Sequence, residues 1–407
     1  MKFKWIITGL IVQLIATLSF GQTAKTETLV KNVAEQVIRN TQLQLIDVAT
    51  KQPAMLVNAK YPGNVRVASP NSRWEYVNGV TLLGMLRLSE VTGDTSFRAF
   101  SRKNFNFIFS NLPAVQAKFE QHLPTEWEAF FRMQSLDDCG AIAAGLSELN
   151  KTEHRADYQA YLNKATNYIS HTQLRLKDKT LCRDFPHKNT IWADDLFMSV
   201  PFLSRAGSAT GDKRYTEDAI RQVENFNRYL YDSASGLYFH GWYSDVNANG
   251  VAHWLRCNGW IAMAQADLIA QLKEADPKRQ LLISYLQRQI TGFSRYQDKT
   301  GLWHQIIDKP DSYRETSGTA MFIYAIAKAV NEGWINQSYA SIAHLGWEAL
   351  KLKVTSDGMV EDVCVGTNMA DNLAFYYNRP KRLNDNHVTG AFLLAGSEMI
   401  KMEKNGK

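Results

Sequence analysis

A repeat constrains this chain more than any other feature of its sequence. Six apolar stretches recur roughly every 60 residues, each entered through a polar or glycine-containing turn. They run from Trp74 to Thr92, Leu136 to Leu149, Trp192 to Ala209, His253 to Leu272, Glu315 to Val330 and Asn386 to Ile400. Beyond the first turn each holds few charges and is rich in Ala, Leu, Met and Gly, the composition of helices buried on most sides. Between them lie stretches such as Lys213 to Tyr231 and Pro277 to Tyr296, whose charges return on one face at helical spacing, as on half-exposed helices. About twelve helices alternating in this way close most economically as six inside six. The sequence therefore predicts an all-α (α/α)6 barrel. An open solenoid is the weaker alternative, because its repeats are usually shorter, about 30 to 47 residues.

Shorter echoes give the repeat a direction. Thr92-Gly93-Asp94 and Thr210-Gly211-Asp212 each follow an apolar stretch, and the pattern reads as a glycine ending one helix and an aspartate capping the next. Ser235-Gly236-Leu237 and Thr300-Gly301-Leu302 lead through an aromatic residue to His240 and His304. The starts of the inner helices and these loops are expected at one mouth of the barrel. No Pro-rich or Ser-rich linker interrupts residues 22–407, which read as one catalytic domain. Residues 1–21 have the layout of a secretory signal peptide, with Lys2 and Lys4, an apolar run from Trp5 to Phe20, and small residues at Ser19 and Gly21. That run falls short of the ~20 residues a membrane span needs. The mature chain is expected to be exported, periplasmic or secreted, with no membrane attachment.

The formal charge of +6 includes the two leader lysines, so the remaining surplus is too small to indicate nucleic-acid binding. An acidic ligand would have to be held by a few local cations. Ten tryptophans supply faces of the kind that stack on sugar rings. The four cysteines, Cys139, Cys182, Cys257 and Cys364, are far apart and lack zinc-site spacing, although export would permit disulfides. The chain has no HExxH, GxGxxG, P-loop or GxSxG. Neither a metal ion nor a cofactor is expected.

Two acidic pairs, Asp137-Asp138 and Asp194-Asp195, stand where inner helices are expected to start. One member of each suits a helix cap, since a carboxylate accepts orphan backbone N–H groups. The two side chains of a pair point in different directions, which frees at least one for chemistry. Burial beside Trp192 would raise the pKa of a carboxyl and suit it to acid catalysis. In the segment HWLRCNGW, Arg256 could grip a carboxylate, with Trp254 and Trp260 offering faces.

In chain order WEYVNG, LDDCG, WADDLFMSVPFL, SGLYFHGW, AHWLRCNGW, GLWHQIID, ETSGTAMF and NDNHVTGAFLLA resemble the unsaturated rhamnogalacturonyl hydrolases, glycoside hydrolase family 105, over roughly residues 60–400. The unsaturated glucuronyl hydrolases of family 88 are related. The resemblance implies an (α/α)6 barrel and an unsaturated acidic oligosaccharide as substrate. The implied reaction is hydration of the C4=C5 double bond that a polysaccharide lyase leaves in a terminal uronic acid, with a rhamnogalacturonan or pectin type of substrate. It assigns Asp194 to protonate C4 and help water add at C5. It assigns Asp138 to bind sugar hydroxyls and tune Asp194, with Asp137 as the cap. His240 would sit near the reacting ring, Trp254, Arg256 and Trp260 would line the ring and its carboxylate, and Tyr76 and Trp192 would complete the wall.

Other readings make different demands. An inverting glycosidase on neutral glucans would turn over saturated sugars and have no need of Arg256. A non-catalytic sugar-binding protein would be indifferent to Asp194→Asn. A lyase would create the ultraviolet-absorbing double bond rather than destroy it.

Overall fold

The computed structural model describes residues 26–54 and 65–406; the leader lies outside the described residues. Twelve long helices follow one another: α1 (26–39), α2 (Tyr76–Thr92), α3 (Thr95–Glu120), α4 (Gly140–Glu153), α5 (Ala156–Asn167) and α6 (Val200–Thr210), then α7 (Lys213–Leu230), α8 (Leu255–Gln271), α9 (Arg279–Ser294), α10 (Thr316–Asn331), α11 (Ala340–Lys351) and α12 (Asn386–Lys404). The even-numbered helices form the inner ring. Each packs on the next, from α2 through α4, α6, α8 and α10 to α12, and α12 packs back on α2 to close the circle. This is the expected (α/α)6 barrel.

The closure depends on residues without side chains. A Cβ at Gly79 in α2 would lie 2.3 Å from the Ile142 backbone in α4, and one at Gly390 in α12 would lie 2.6 Å from the Val80 backbone in α2. Nearly every residue of α8 from Leu255 to Ile269 and of α10 from Thr316 to Val330 is buried, which explains why they hold so few charges. The outer α7 has the opposite pattern, with Ala219, Ile220, Val223 and Phe226 turned inward and its charges, Asp218 excepted, turned out.

The punctuation matches the sequence. Gly93 and Gly211 end α2 and α6 in the left-handed conformation, with φ of 74° and 73°. Asp94 and Asp212 cap α3 and α7 by accepting from Ser96 N–H and Arg214 N–H. Two elements differ from expectation. Leu136–Asp138 and Ala193–Leu196 are separate 3-10 turns, and α4 and α6 begin only at Gly140 and Val200. Pro201, near the N-terminus of α6, has no N–H to donate and so suits a helix start. The acidic pairs therefore stand on tight turns ahead of the helices.

A small antiparallel sheet aligns the chemistry. Strand β1 (Ile191–Trp192) pairs with β2 (Gly241–Tyr243), which pairs with β3 (Ala248–Asn249). Trp192 lies opposite Gly241, and Ala193 N–H donates to the His240 carbonyl at 2.9 Å. That register fixes residues 193–195 beside His240. All four cysteines are buried and free.

Candidate active site

Every inner helix contributes to one polar cluster from its N-terminal end. Tyr76 begins α2, the two acidic pairs precede α4 and α6, and Trp254 caps α8 two residues before Arg256. Glu315 caps α10, and Asp385 caps α12 two residues before His387.

Of the second acidic pair only Asp194 is accessible. Its side chain is 16% exposed and that of Asp195 is 0%. Asp194 Oδ2 lies 3.0 Å from His240 Nε2, and His240 Nδ1 lies 2.8 Å from the Tyr376 hydroxyl. The Asp194 carboxylate only accepts, so the His240 N–H sits at Nε2 and points at it; a neutral His240 then accepts the Tyr376 O–H at Nδ1, while Tyr376 accepts from Ala370 N–H. Burial pushes the Asp194 carboxyl up, but the His240 hydrogen bond and the Arg183 and Arg256 charges outweigh it, leaving Asp194 below the ordinary carboxylate value. The expected upward shift from burial is therefore reversed in the free protein, by partners far away in sequence.

Arg183 organises the neighbouring carboxylates. It donates to both oxygens of Asp137 at 3.0 Å and to Asp195 at 2.5–3.0 Å, while its guanidinium lies 4.6 Å from the Trp192 ring. One cation thus ties the turn before α4 to the turn before α6. Arg183 was not among the sequence-derived candidates.

The roles of Asp137 and Asp138 are exchanged relative to expectation. Asp138 is 4% exposed, and its carboxylate accepts from Gln134 N–H, Ser135 N–H and Arg132 in a capping box. Its oxygens are committed to that capping box, in which Ser135 is the N-cap and Asp138 the third helical residue. Asp137 is 33% exposed on its side chain and shares Arg183 with Asp195. It is the member that faces the site.

Arg256 is buried, at 1% exposure, and donates to Ser317 Oγ at 3.1 Å and to the carbonyls of Cys364 and Val365 at 2.6 and 2.7 Å. Among the described residues no carboxylate forms an ion pair with it. Glu315 stays one step removed, accepting from Ser317 N–H, Ser317 Oγ, Gly318 N–H and Cys364 N–H, which holds in place the groups that hold Arg256. A desolvated charge with no counterion costs several kcal/mol. Three of its five N–H donors are spent, leaving donors for an anion.

The aromatic residues surround these groups. Trp254 lies between His240, at 4.7 Å between ring centroids, and the Arg256 guanidinium, at 4.8 Å. Trp260 backs Tyr76 at 6.4 Å and Phe197 at 4.8 Å. At 1% and 2% exposure these two tryptophans offer no open face in the free protein, contrary to expectation; they position His240, Arg256 and Tyr76 instead. Trp192 contacts His240 edge-on at 5.8 Å and donates from Nε1 to the Phe185 carbonyl. Tyr76 bonds His387 Nε2 at 2.7 Å, a contact not foreseen although His387 lies in the NDNHVTG segment. His253 and His304 stand in structural contacts with Asp308 and Ser312.

The sequence profile of glycosyl hydrolase family 88 matches residues 50–403. The chain belongs to glycosyl hydrolase family 88. Similar family relatives include the unsaturated rhamnogalacturonyl hydrolase YesR of Bacillus subtilis, 30% identical over 52% of this chain and 60% of YesR. An unsaturated 3S-rhamnoglycuronyl hydrolase of an Alteromonas species is 30% identical over 52% of each chain. These matches span little more than half the length of the curated relatives. A crystal structure from Klebsiella pneumoniae, described as a possible member of family 105, is 25% identical over 93% of both chains, with a TM-score of 0.75.

Proposed function

We propose that this family 88 protein hydrates the C4=C5 double bond of an unsaturated uronyl residue at the non-reducing end of a lyase-generated oligosaccharide and releases that residue. A rhamnogalacturonan or pectin type of oligosaccharide is the preferred substrate. The observation that carries the reading is the buried guanidinium of Arg256, which among the described residues has no carboxylate in ion-pair contact and lies within electrostatic reach of Asp194. Such a site suits a substrate that brings its own carboxylate. Relatives whose names specify unsaturated rhamnogalacturonyl and rhamnoglycuronyl hydrolysis support the same substrate class. The layout of residues 1–21 supports action after export.

The chemistry requires an acid near an enol ether. Asp194 in its protonated form gives its proton to C4, and the positive charge that develops at C5 and the ring oxygen is met by water. The resulting hemiketal opens and the next sugar leaves. In the free protein Asp194 is held ionised, so the substrate has to help make the acid. A uronate carboxylate bound at Arg256 offsets the cation and adds a negative charge near Asp194, and both effects raise its pKa.

The pH dependence follows from that sign. The acid is active when protonated, so rate falls as pH rises through the Asp194 pKa. In kcat/KM, which reports the free enzyme, this fall is expected below the ordinary carboxyl value; in kcat, which reports the complex, it is expected at higher pH. Rate profiles on an unsaturated oligosaccharide check this, and coincident limbs would contradict it.

Arg256→Ala is expected to lower kcat/KM by roughly 10- to 150-fold, from about 1.5–3 kcal/mol for a charge-assisted hydrogen bond. Wild-type kinetics in that variant would remove Arg256 from substrate recognition. Loss of the double-bond absorbance during incubation with lyase digests of several acidic polysaccharides tests the proposed activity as a whole.

A further inference from the structure

A second hydrogen-bonded chain lies within electrostatic reach of Asp194 and Arg256, and the hydration reaction as described leaves it unused. Asp385 caps α12 by accepting from the His387 backbone N–H and also lies 2.5 Å from His387 Nδ1; His387 Nε2 lies 2.7 Å from the Tyr76 hydroxyl. The directions of these bonds are fixed by their ends. A carboxylate only accepts, so His387 Nδ1 carries a proton and donates it to Asp385. A neutral His387 then accepts at Nε2, and the Tyr76 O–H proton points at His387. Tyr76 is left presenting oxygen lone pairs, a proton acceptor rather than a donor. Burial and the Arg256 charge, opposed by Asp385, hold the His387 pKa down at about 4, so the relay rests empty.

We propose, on the basis of the hydration reaction above, that Tyr76, His387 and Asp385 form a proton relay that accepts the proton released when water adds at C5, so that Asp194 serves as the acid alone. The step balances. The π pair of C4=C5 takes the Asp194 proton to form the C4–H bond. A water lone pair forms the C5–O bond, and that water loses one proton to the Tyr76 oxygen. The Tyr76 proton passes to His387 Nε2, giving an imidazolium paired with the Asp385 carboxylate.

Other candidates for this role are occupied. Both oxygens of Asp137 accept from Arg183, and Asp195 is wholly buried on the same guanidinium. His240 Nε2 already directs its N–H at Asp194. A substrate carboxylate at Arg256 would strengthen the relay, because it offsets the charge that holds His387 down. Tyr76 contacts the reacting water and is therefore catalytic; His387 and Asp385 act through it as positioning residues.

The test compares His387→Gln, Tyr76→Phe and the double variant on an unsaturated oligosaccharide that the wild type turns over. A glutamine carbonyl can still accept the Tyr76 hydrogen bond but cannot take up the proton. The relay predicts that kcat falls by about 10²-fold in each single variant, that KM stays within about twofold, and that the double variant is no slower than the slower single. Unchanged kcat in His387→Gln, or multiplying losses in the double variant, would overturn it. If the glutamine variant fails to fold, Tyr76→Phe decides, since it removes only the hydroxyl: unchanged kcat there overturns the relay. Absence of wild-type turnover on every unsaturated substrate would instead overturn the hydration reading, and the relay with it.

Discussion

Asp194→Asn is expected to cut turnover at least about 10²-fold, the low end for loss of a general acid, while the protein folds and still binds substrate. The amide keeps the shape of the side chain and can still accept from His240 Nε2 at the 3.0 Å separation of the native pair. It has no acidic proton to give to C4. Asp194 is the accessible member of its pair, and Asp195, wholly buried on Arg183, cannot substitute for it. Kinetics on an unsaturated oligosaccharide, with a thermal melt to confirm folding, measure the loss. Turnover within a few-fold of wild type would remove Asp194 from the chemistry.

Arg183→Met is expected to destabilise the protein by about 3–5 kcal/mol, the range for removing one partner of a buried ion pair. Arg183 is a shared partner of Asp137 and Asp195, and without it the fully buried Asp195 carboxylate has no counterion. Part of the loss should return in the double variant Arg183→Met/Asp195→Asn, where no charge is stranded. Activity should also fall, since the turn that carries Asp195 carries Asp194. Denaturant unfolding measures the stability change, and a loss under about 1 kcal/mol would show that the network contributes little.

The barrel was legible because its inner helices must be apolar nearly all round, so six charge-poor stretches stand out from the amphipathic helices between them. Gly93-Asp94 and Gly211-Asp212 were legible for a local reason, since a helix end and the next start are written within a few residues. The site was legible where it lies in dense segments: Asp194, His240, Arg256 and Tyr76 all meet at the mouth. The partners that set their properties were not. Arg183 reaches Asp137 from 46 residues away, and Tyr76 meets His387 from 311 residues away; spacing along a chain cannot encode such contacts. The clue to His387 was an aspartate two residues ahead of it at the start of an apolar helix. The exchange of Asp137 and Asp138 had a different source. Neighbouring carboxylates on a 3-10 turn point to different sides, and which one is left accessible depends on how that turn docks, here through Arg132 on one side and Arg183 on the other.

Hydration of a vinyl ether and direct cleavage of a glycosidic bond differ in where solvent hydrogen ends up. The measurement that separates them is turnover of an unsaturated oligosaccharide in heavy water, with the released uronate examined by NMR or mass spectrometry. Protonation by Asp194 predicts one deuterium bonded at C4 of the released uronate and loss of the double-bond absorbance at the same rate. A released uronate without deuterium at C4, or one that keeps its double bond, would contradict the hydration mechanism.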